Sequence, residues 1–310
     1  MGPHFPGRVR IRLDRGWVVS RQSPPLAFLC LSGCVVTASC HPETSPAAEE
    51  LTDSIVVVDA GGRRHVFGRP ARRIVSLVPS ATATLRAIGA DYALVGRTDY
   101  DTQEWAVGLP SVGGGIDPSL EAIVSLEPDL IVRFAGDQDP RTRTRLDELG
   151  IPYVTVRPDR VDDIFETAGI LGRVTGHLEA ADSLIRSLRD GLRATSQAVS
   201  AWPRLRVAYV LGGSPPWVTG PGTYISEILS LVGGDNVFSD LDALYSAISP
   251  EDLRIREIDV VLVSVRGEYD EALTPGARVE VIGSVLEIPG PDVVEAARCV
   301  AELMHGRPLR

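Results

Sequence analysis

The stretch His177–Ser200 (HLEAADSLIRSLRDGLRATSQAVS) constrains this chain more than any other. Leu178, Ala181, Leu184, Ile185, Leu188 and Leu192 recur at helical spacing; no proline interrupts them, and the only interior glycine is Gly191. At 1.5 Å per residue such a helix spans roughly 36 Å, about the width of a small domain. A shorter helix over Asp162–Val174 precedes it, Gly176 breaks the two apart, and Pro203 closes the stretch. A rod of that length between two α/β patterns has two readings. It is either a backbone joining two lobes with a cleft between them, or a crossover helix within one sheet.

A chain of 310 residues has room for two domains. Its formal net charge is −10, and every basic residue is arginine. Five of those arginines (Arg8, Arg10, Arg12, Arg15 and Arg21) lie in the leader, so the remainder is more acidic still. That balance excludes a nucleic-acid partner, which needs a basic face.

Residues 1–40 read as a signal peptide. The five arginines make a positive leader, and Leu26–Ala38 is an apolar core too short to span a bilayer permanently. Leu31-Ser32-Gly33-Cys34 is similar to a bacterial lipobox, which would place a lipid on Cys34; Thr37-Ala38-Ser39-Cys40 is the alternative, with the lipid on Cys40. A plain signal peptide cut at small residues is the competing reading. Residues 41–53 are polar and read as a flexible tether from a membrane anchor. Cys299, alone in a helical pattern, reads as a small buried apolar residue.

The rest divides into an N-terminal α/β lobe over 54–160, linking helices over 161–203 and a C-terminal α/β lobe over 204–310. Ile55–Val58 and Arg63–Phe67 form a hairpin about Asp59–Gly62. Short apolar runs at Ile74–Val78, Ala93–Val95, Leu130–Val132 and Tyr153–Val156 alternate with helical patterns, as do Arg206–Leu211 and Val260–Val263 after the long helix. That alternation predicts two Rossmann-like lobes with mainly parallel sheets. Ser80-Ala81-Thr82 is expected to cap a helix over Ala83–Ile88, and Gly113-Gly114-Gly115 to be a flexible loop.

One local pattern occurs twice. Ser119-Leu120-Glu121 precedes Asp129-Leu130-Ile131, and Ser249-Pro250-Glu251 precedes Asp259-Val260-Val261. Each acid sits in a first helical turn, where it favours the helix dipole. The same placement in both lobes also points to a shared, outward-facing role.

Arg72 to Thr82 (RRIVSLVPSAT) resembles the opening of the class III, helical-backbone substrate-binding proteins of ABC importers. Val95–Tyr100, Pro118–Val132, Gly220–Tyr224, Val232–Phe238 and Pro289-Gly290-Pro291 follow in that family's order, and the likeness covers roughly Ile55 to Pro308. The resemblance implies two α/β lobes joined by one long rigid helix, with a ligand cleft between them. It implies no catalysis and no resident cofactor, but a metal-chelate cargo, cobalamin or a ferric siderophore. The implied partners are a permease and ATPase complex and, through a lipid, the extracytoplasmic face of a membrane. On this likeness Ser80, Tyr100, Gly115, Trp217 and Tyr245 fall on cleft loops as ligand contacts, and Glu121 and Glu251 match the acids that dock to permease arginines. Three positions depart from the pattern. Ala83 replaces a frequent Glu, Gly113–Gly115 replaces a Trp segment of cobalamin binders, and Asp292 replaces a common Arg. These departures leave the pocket less aromatic and less basic than an anionic catecholate siderophore calls for, and the Val78-Pro79-Ser80-Ala81-Thr82 opening is more similar to the cobalamin group, so the resemblance implies a corrinoid cargo. An iron-siderophore or haem binder of the same family is the first alternative.

An extracytoplasmic hydrolase on a two-lobe α/β scaffold is the second alternative. The sequence has no Gly-x-Ser-x-Gly, no His-Glu-x-x-His and no phosphate loop. His4, His41, His65, His177 and His305 are scattered, which disfavours a zinc site.

Overall fold

The computed structural model describes residues 54–136, 140–265 and 269–309. The signal-peptide reading, Cys34, Cys40 and the tether lie outside the described residues.

The N-terminal lobe opens with an antiparallel hairpin, β1 (Ile55–Val58) and β2 (Arg64–Phe67). It continues with β3 (Ile74–Ser76), α1 (Pro79–Ala87), β4 (Leu94–Gly96), α2 (Leu120–Ser125), β5 (Leu130–Phe134), α3 (Pro140–Leu149) and β6 (Tyr153–Val156). Strands β3 to β6 form a parallel sheet in the order β4-β3-β5-β6. Parallel strands bury both faces, which is why they read as unbroken apolar runs. The edge strand β6 is covered by the hairpin turn, where the Ala60 amide donates to the Thr155 carbonyl at 3.1 Å.

Helix α1 begins earlier than the sequence predicts. It starts at Pro79, with Val78 as N-cap and no side-chain cap. Proline suits the first helical position because its φ is preset and its missing N–H would have no partner there. Ser80 is therefore a buried first-turn residue rather than a cap.

Two helices then cross between the lobes, α4 (Val161–Thr175) and α5 (Leu178–Val199). The predicted long helix is present, and α4 runs antiparallel beside it as a second strut. Gly176 turns the chain with φ 77°, a left-handed conformation that favours glycine. Ile164 and Phe165 at the start of α4 join the C-terminal core with Leu188, Leu192 and Val199 of α5. Ile170, Leu171 and Val174 at the other end of α4 join the N-terminal core with Ala181. The helices cross closely because Gly172 lies against Ala181: a Cβ at 172 would sit 2.4 Å from the Ala181 Cβ.

The C-terminal lobe contains β7 (Leu205–Gly212), β8 (Trp217–Thr219), α6 (Tyr224–Leu231), β9 (Gly234–Asn236), β10 (Tyr245–Ala247), α7 (Pro250–Ile255), β11 (Val260–Val263), β12 (Arg278–Val281) and α8 (Val293–His305). Its sheet runs β10-β8-β7-β11-β12, with β9 also pairing β7. Strands β7, β9, β11 and β12 pair in parallel, and β8 and β10 add an antiparallel edge. Gly191 lets α5 lie against α8, for a Cβ there would sit 2.8 Å from Val294. Cys299 on α8 is partly buried against the core, and burial pushes its thiol pKa up.

Among the described residues, no helix is long and apolar enough to cross a membrane.

Candidate functional site

The carboxyl ends of both sheets face the opposite lobe. Three residues after β6 ends, the Asp159 carbonyl accepts from the Tyr224 amide at the start of α6. Glu227 of α6 holds the same crossing, its carboxylate accepting from Arg160 Nε and the Val161 amide, both at 2.8 Å. In the first turn of α1, Ser80 meets the loop before α8: a Cβ on Gly290 would lie 3.9 Å from the Ser80 Cα. Loops beyond the carboxyl ends of parallel strands, between two lobes, are where α/β proteins usually bind ligands.

The C-terminal wall of this cleft is aromatic. Trp217 and Tyr245 were expected on loops, but they lie on the paired antiparallel strands β8 and β10. Trp217 faces Ala247 and Tyr245 faces Thr219 in the register. Paired residues and those two apart share one face of a sheet, so Trp217 and Tyr245 are diagonal neighbours. Val218, between Trp217 and Thr219, points into the opposite core beside Phe238. Tyr209 of β7 lies on the face of Trp217 and Tyr245, since its neighbours Ala208 and Val210 join the core around Val218. Tyr224 adds a third phenol; its hydroxyl donates to the Leu286 carbonyl.

These phenols stay neutral at ordinary pH. Burial pushes Tyr245 up to about 12, with Asp159 and Tyr209 contributing. Burial likewise raises Tyr209 and Tyr224, and Glu287 adds to both. Trp217 is 48% exposed and Tyr245 37%, while Tyr209 and Tyr224 are buried.

Two loops of the N-terminal lobe carry the expected contacts Tyr100 and Gly115. Tyr100, after β4, is 67% exposed. Its loop is fixed by Asp101, fully buried, whose Oδ2 accepts from the Thr98 amide at 2.9 Å and the Thr98 hydroxyl at 2.7 Å. Gly115 lies in a loop held close against β3. The Asp99 amide donates to the Gly113 carbonyl at 2.9 Å, and a Cβ on Gly115 would sit 2.4 Å from the Leu77 carbonyl oxygen. Glycine is required there so that the loop backbone can lie against the end of β3.

Glu121 and Glu251 occupy equivalent places. Each follows a serine N-cap: Ser119 Oγ accepts from the Ala122 amide at 3.2 Å, and Ser249 Oγ from the Asp252 amide at 3.1 Å. Both glutamates are exposed, and Glu251 lies 3.9 Å from Arg254. A short connection follows α2 and α7 and leads into β5 and β11 respectively. The repeated aspartates have a separate task. Asp129 accepts from the amides of Arg72 and Arg73, and Asp259 from the Arg206 amide at 2.7 Å, pinning the entry to β3 and β7 respectively.

Sequence reasoning missed Tyr209, Tyr224, Asp101 and Asp159. Tyr209 reads as one more apolar residue of a strand, and only the register with β8 turns it toward the cleft. Tyr224 carried a signal, standing directly after the Thr223 cap. Among the described residues, no three His, Cys, Asp or Glu side chains group as a metal site would require.

The model of the periplasmic binding protein family matches residues 74–276. The chain belongs to this family. Its two-lobe fold, extracytoplasmic setting and role in binding rather than catalysis follow from that membership. The hydrolase reading finds no support in a family of binding proteins. The cobalamin-binding protein of Halobacterium salinarum is 29% identical over 274 residues, covering 80% of this chain and 73% of that one. The crystal structure of the periplasmic vitamin B12 binding protein of Vibrio cholerae superposes with a TM-score of 0.68 at 25% identity, covering 76% of this chain and 97% of that one. The periplasmic heme-binding protein of Roseiflexus also superposes at 0.68, with 22% identity, over 76% and 98% of the two chains; that likeness shows the fold alone.

Proposed function

We propose that this family member captures a corrinoid in the interlobe cleft and delivers it to an ABC importer. One observation supports the reading: Trp217 and Tyr245 are exposed diagonal neighbours on β8 and β10, with Tyr209 buried on the same face of the sheet. Aromatic rings give a planar macrocycle wide contact at little entropic cost. Neutral phenols suit the amide-bearing rim of a corrin, because they donate to carbonyls without adding charge.

The electrostatics favour the same cargo. Asp159 and Glu287 lie beside the phenols, while Arg160 is engaged with Glu227 and Arg97 donates to the carbonyls of Thr98, Ala106 and Val107. Arg157 is likewise engaged, 3.9 Å from Asp159, and the propionates of haem or the charges of a catecholate siderophore are disfavoured beside these acids.

Ser80, Tyr100 and Gly115 form the N-terminal side of the site, and Trp217 and Tyr245 the C-terminal side. Glu121 and Glu251 dock to permease arginines, one per lobe, setting the orientation of delivery. A lipid on Cys34, or on Cys40, holds the protein at the membrane, and intact-mass measurement of the mature protein tests this: an unmodified, freely soluble form contradicts it. The cargo is tested by incubating purified protein with cyanocobalamin, haemin and ferric enterobactin in turn, desalting, and recording the visible spectrum. The corrin bands should remain at one per chain. Retention of haemin or the siderophore alone would overturn the assignment.

A further inference from the structure

The two helices that carry Glu121 and Glu251 repeat more than the acid. Residues 119–130 and 249–260 align without a gap, and exposure follows nearly the same course from each glutamate to the next strand. Ile123 and Leu253 are buried, each in a core of its own lobe. The glutamates are exposed, and so is one apolar side chain a turn further on: Val124 in α2 at 44% and Ile255 in α7 at 78%. Ile255 is the most exposed large apolar side chain among the described residues. Residues three or four apart share a helix face, so Glu121 with Val124 and Glu251 with Ile255 each make an acid-plus-apolar pair.

Both pairs stand on fixed backbone. One arginine holds the carbonyls that end α2: Arg73 Nη2 donates to Leu126 at 2.6 Å and Nε to Glu127 at 3.0 Å. Glu127 sits at φ 46°, the only non-glycine residue among those described in the left-handed region, and the Arg73 bond secures it there. After α7, Arg256 donates to both carboxylate oxygens of Asp240 at 2.9 Å, and its guanidinium lies 4.6 Å from the centre of the Phe238 ring. An apolar side chain held out on backbone of this kind loses little freedom when a partner covers it.

Exposed carboxylates alone make a weak dock. A surface ion pair is screened by salt and adds little affinity, and Glu251 already lies 3.9 Å from Arg254. An apolar contact beside the charge excludes water and supplies the area that the charge lacks. We propose that Val124 and Ile255 are the apolar anchors of the surface that meets the importer's permease, each packing beside an arginine of that protein. The proposal rests on the docking reading of Glu121 and Glu251. The same acids disfavour the other occupants of an exposed apolar face. A second copy of the chain pairing α2 or α7 with its own counterpart would set glutamate against glutamate, and anionic lipid headgroups would be repelled. A partner with a cation next to apolar surface satisfies both halves of each pair.

The test measures binding to the permease–ATPase complex in nanodiscs, at low and high salt, for the wild type, Val124→Ser/Ile255→Ser and Glu121→Gln/Glu251→Gln. The apolar variant should keep the wild-type melting curve and cargo affinity. It should bind the complex at least tenfold more weakly, through faster release, and that loss should persist at high salt. The acid variant should lose affinity at low salt only. Undiminished binding by the apolar variant would overturn the proposal and leave the role of the acids standing. Undiminished binding by both variants would overturn the docking reading as well. Sedimentation and vesicle flotation complete the comparison: if the apolar variant loses self-association or lipid binding while its binding to the complex is intact, the face belongs to a second copy or to the bilayer, and the proposal is overturned.

Discussion

Asp129 and Asp259 show what one carboxylate does when it closes a turn of backbone. Each accepts from the amide of a residue entering the neighbouring strand, and Asp259 also pairs with the Arg206 guanidinium at 2.7 Å. Hydrogen bonds from Arg206 hold the Asp259 carboxyl below its usual range. Burial works to raise Asp59, but its bonds from His65 and from the Arg63 and Thr155 amides outweigh that and lower it too. Groups depressed in the folded state stabilise it above their unfolded pKa, near 4, and lose that contribution as pH falls through the folded value. Acid unfolding should therefore steepen below about pH 4, and Asp259→Asn should flatten that slope in urea titrations across pH. A slope unchanged by the substitution would remove Asp259 from the explanation. Gly172 makes a sharper case. Alanine ordinarily favours a helix over glycine by up to about 1 kcal/mol. Here its methyl would meet Ala181, so Gly172→Ala should instead cost about 1–3 kcal/mol in chemical denaturation. Stabilisation by this change would contradict the close crossing.

At the scale of elements, periodicity carried far. The hairpin, strands β3, β5, β6, β7 and β11 and helices α4 and α5 all lie where apolar spacing puts them, because each buries a face that only one period can line. The same logic explains the misses. Trp217 and Tyr245 stand in strands of three residues, too short to show alternation, and Pro215, Pro216 and Gly220 around Trp217 read as loop. The start of α1 was misplaced because Pro79 reads equally as a strand end and as a first helical residue. The pairing of α4 with α5 was legible only as two helices, since nothing in spacing says that both cross between lobes. That pairing has a mechanical consequence. Two packed helices with cores at both ends resist hinge bending more than a single connection does. Ligand should leave the radius of gyration nearly unchanged in solution scattering, and a large compaction on binding would show that the struts yield.

On the scale of the whole molecule, the cleft and the matching positions of Glu121 and Glu251 follow from one architecture. Both sheets turn their carboxyl ends inward, so the loops that end the strands make the cleft. Glu121 and Glu251 are exposed, so changing them should alter stability by less than about 0.5 kcal/mol. Glu121→Arg with Glu251→Arg should leave cargo affinity intact yet abolish uptake in a reconstituted importer. Normal transport by the double variant would reduce both acids to helix-dipole partners. The cleft itself is tested most directly by isothermal titration of cyanocobalamin and haemin into the wild-type protein and Trp217→Ala/Tyr245→Ala. Cyanocobalamin should bind one per chain and more tightly than haemin, with affinity falling at least tenfold in the double variant while its melting temperature holds. Equal affinity in the variant, or tighter binding of haemin by the wild type, would contradict a corrinoid site built on that aromatic wall.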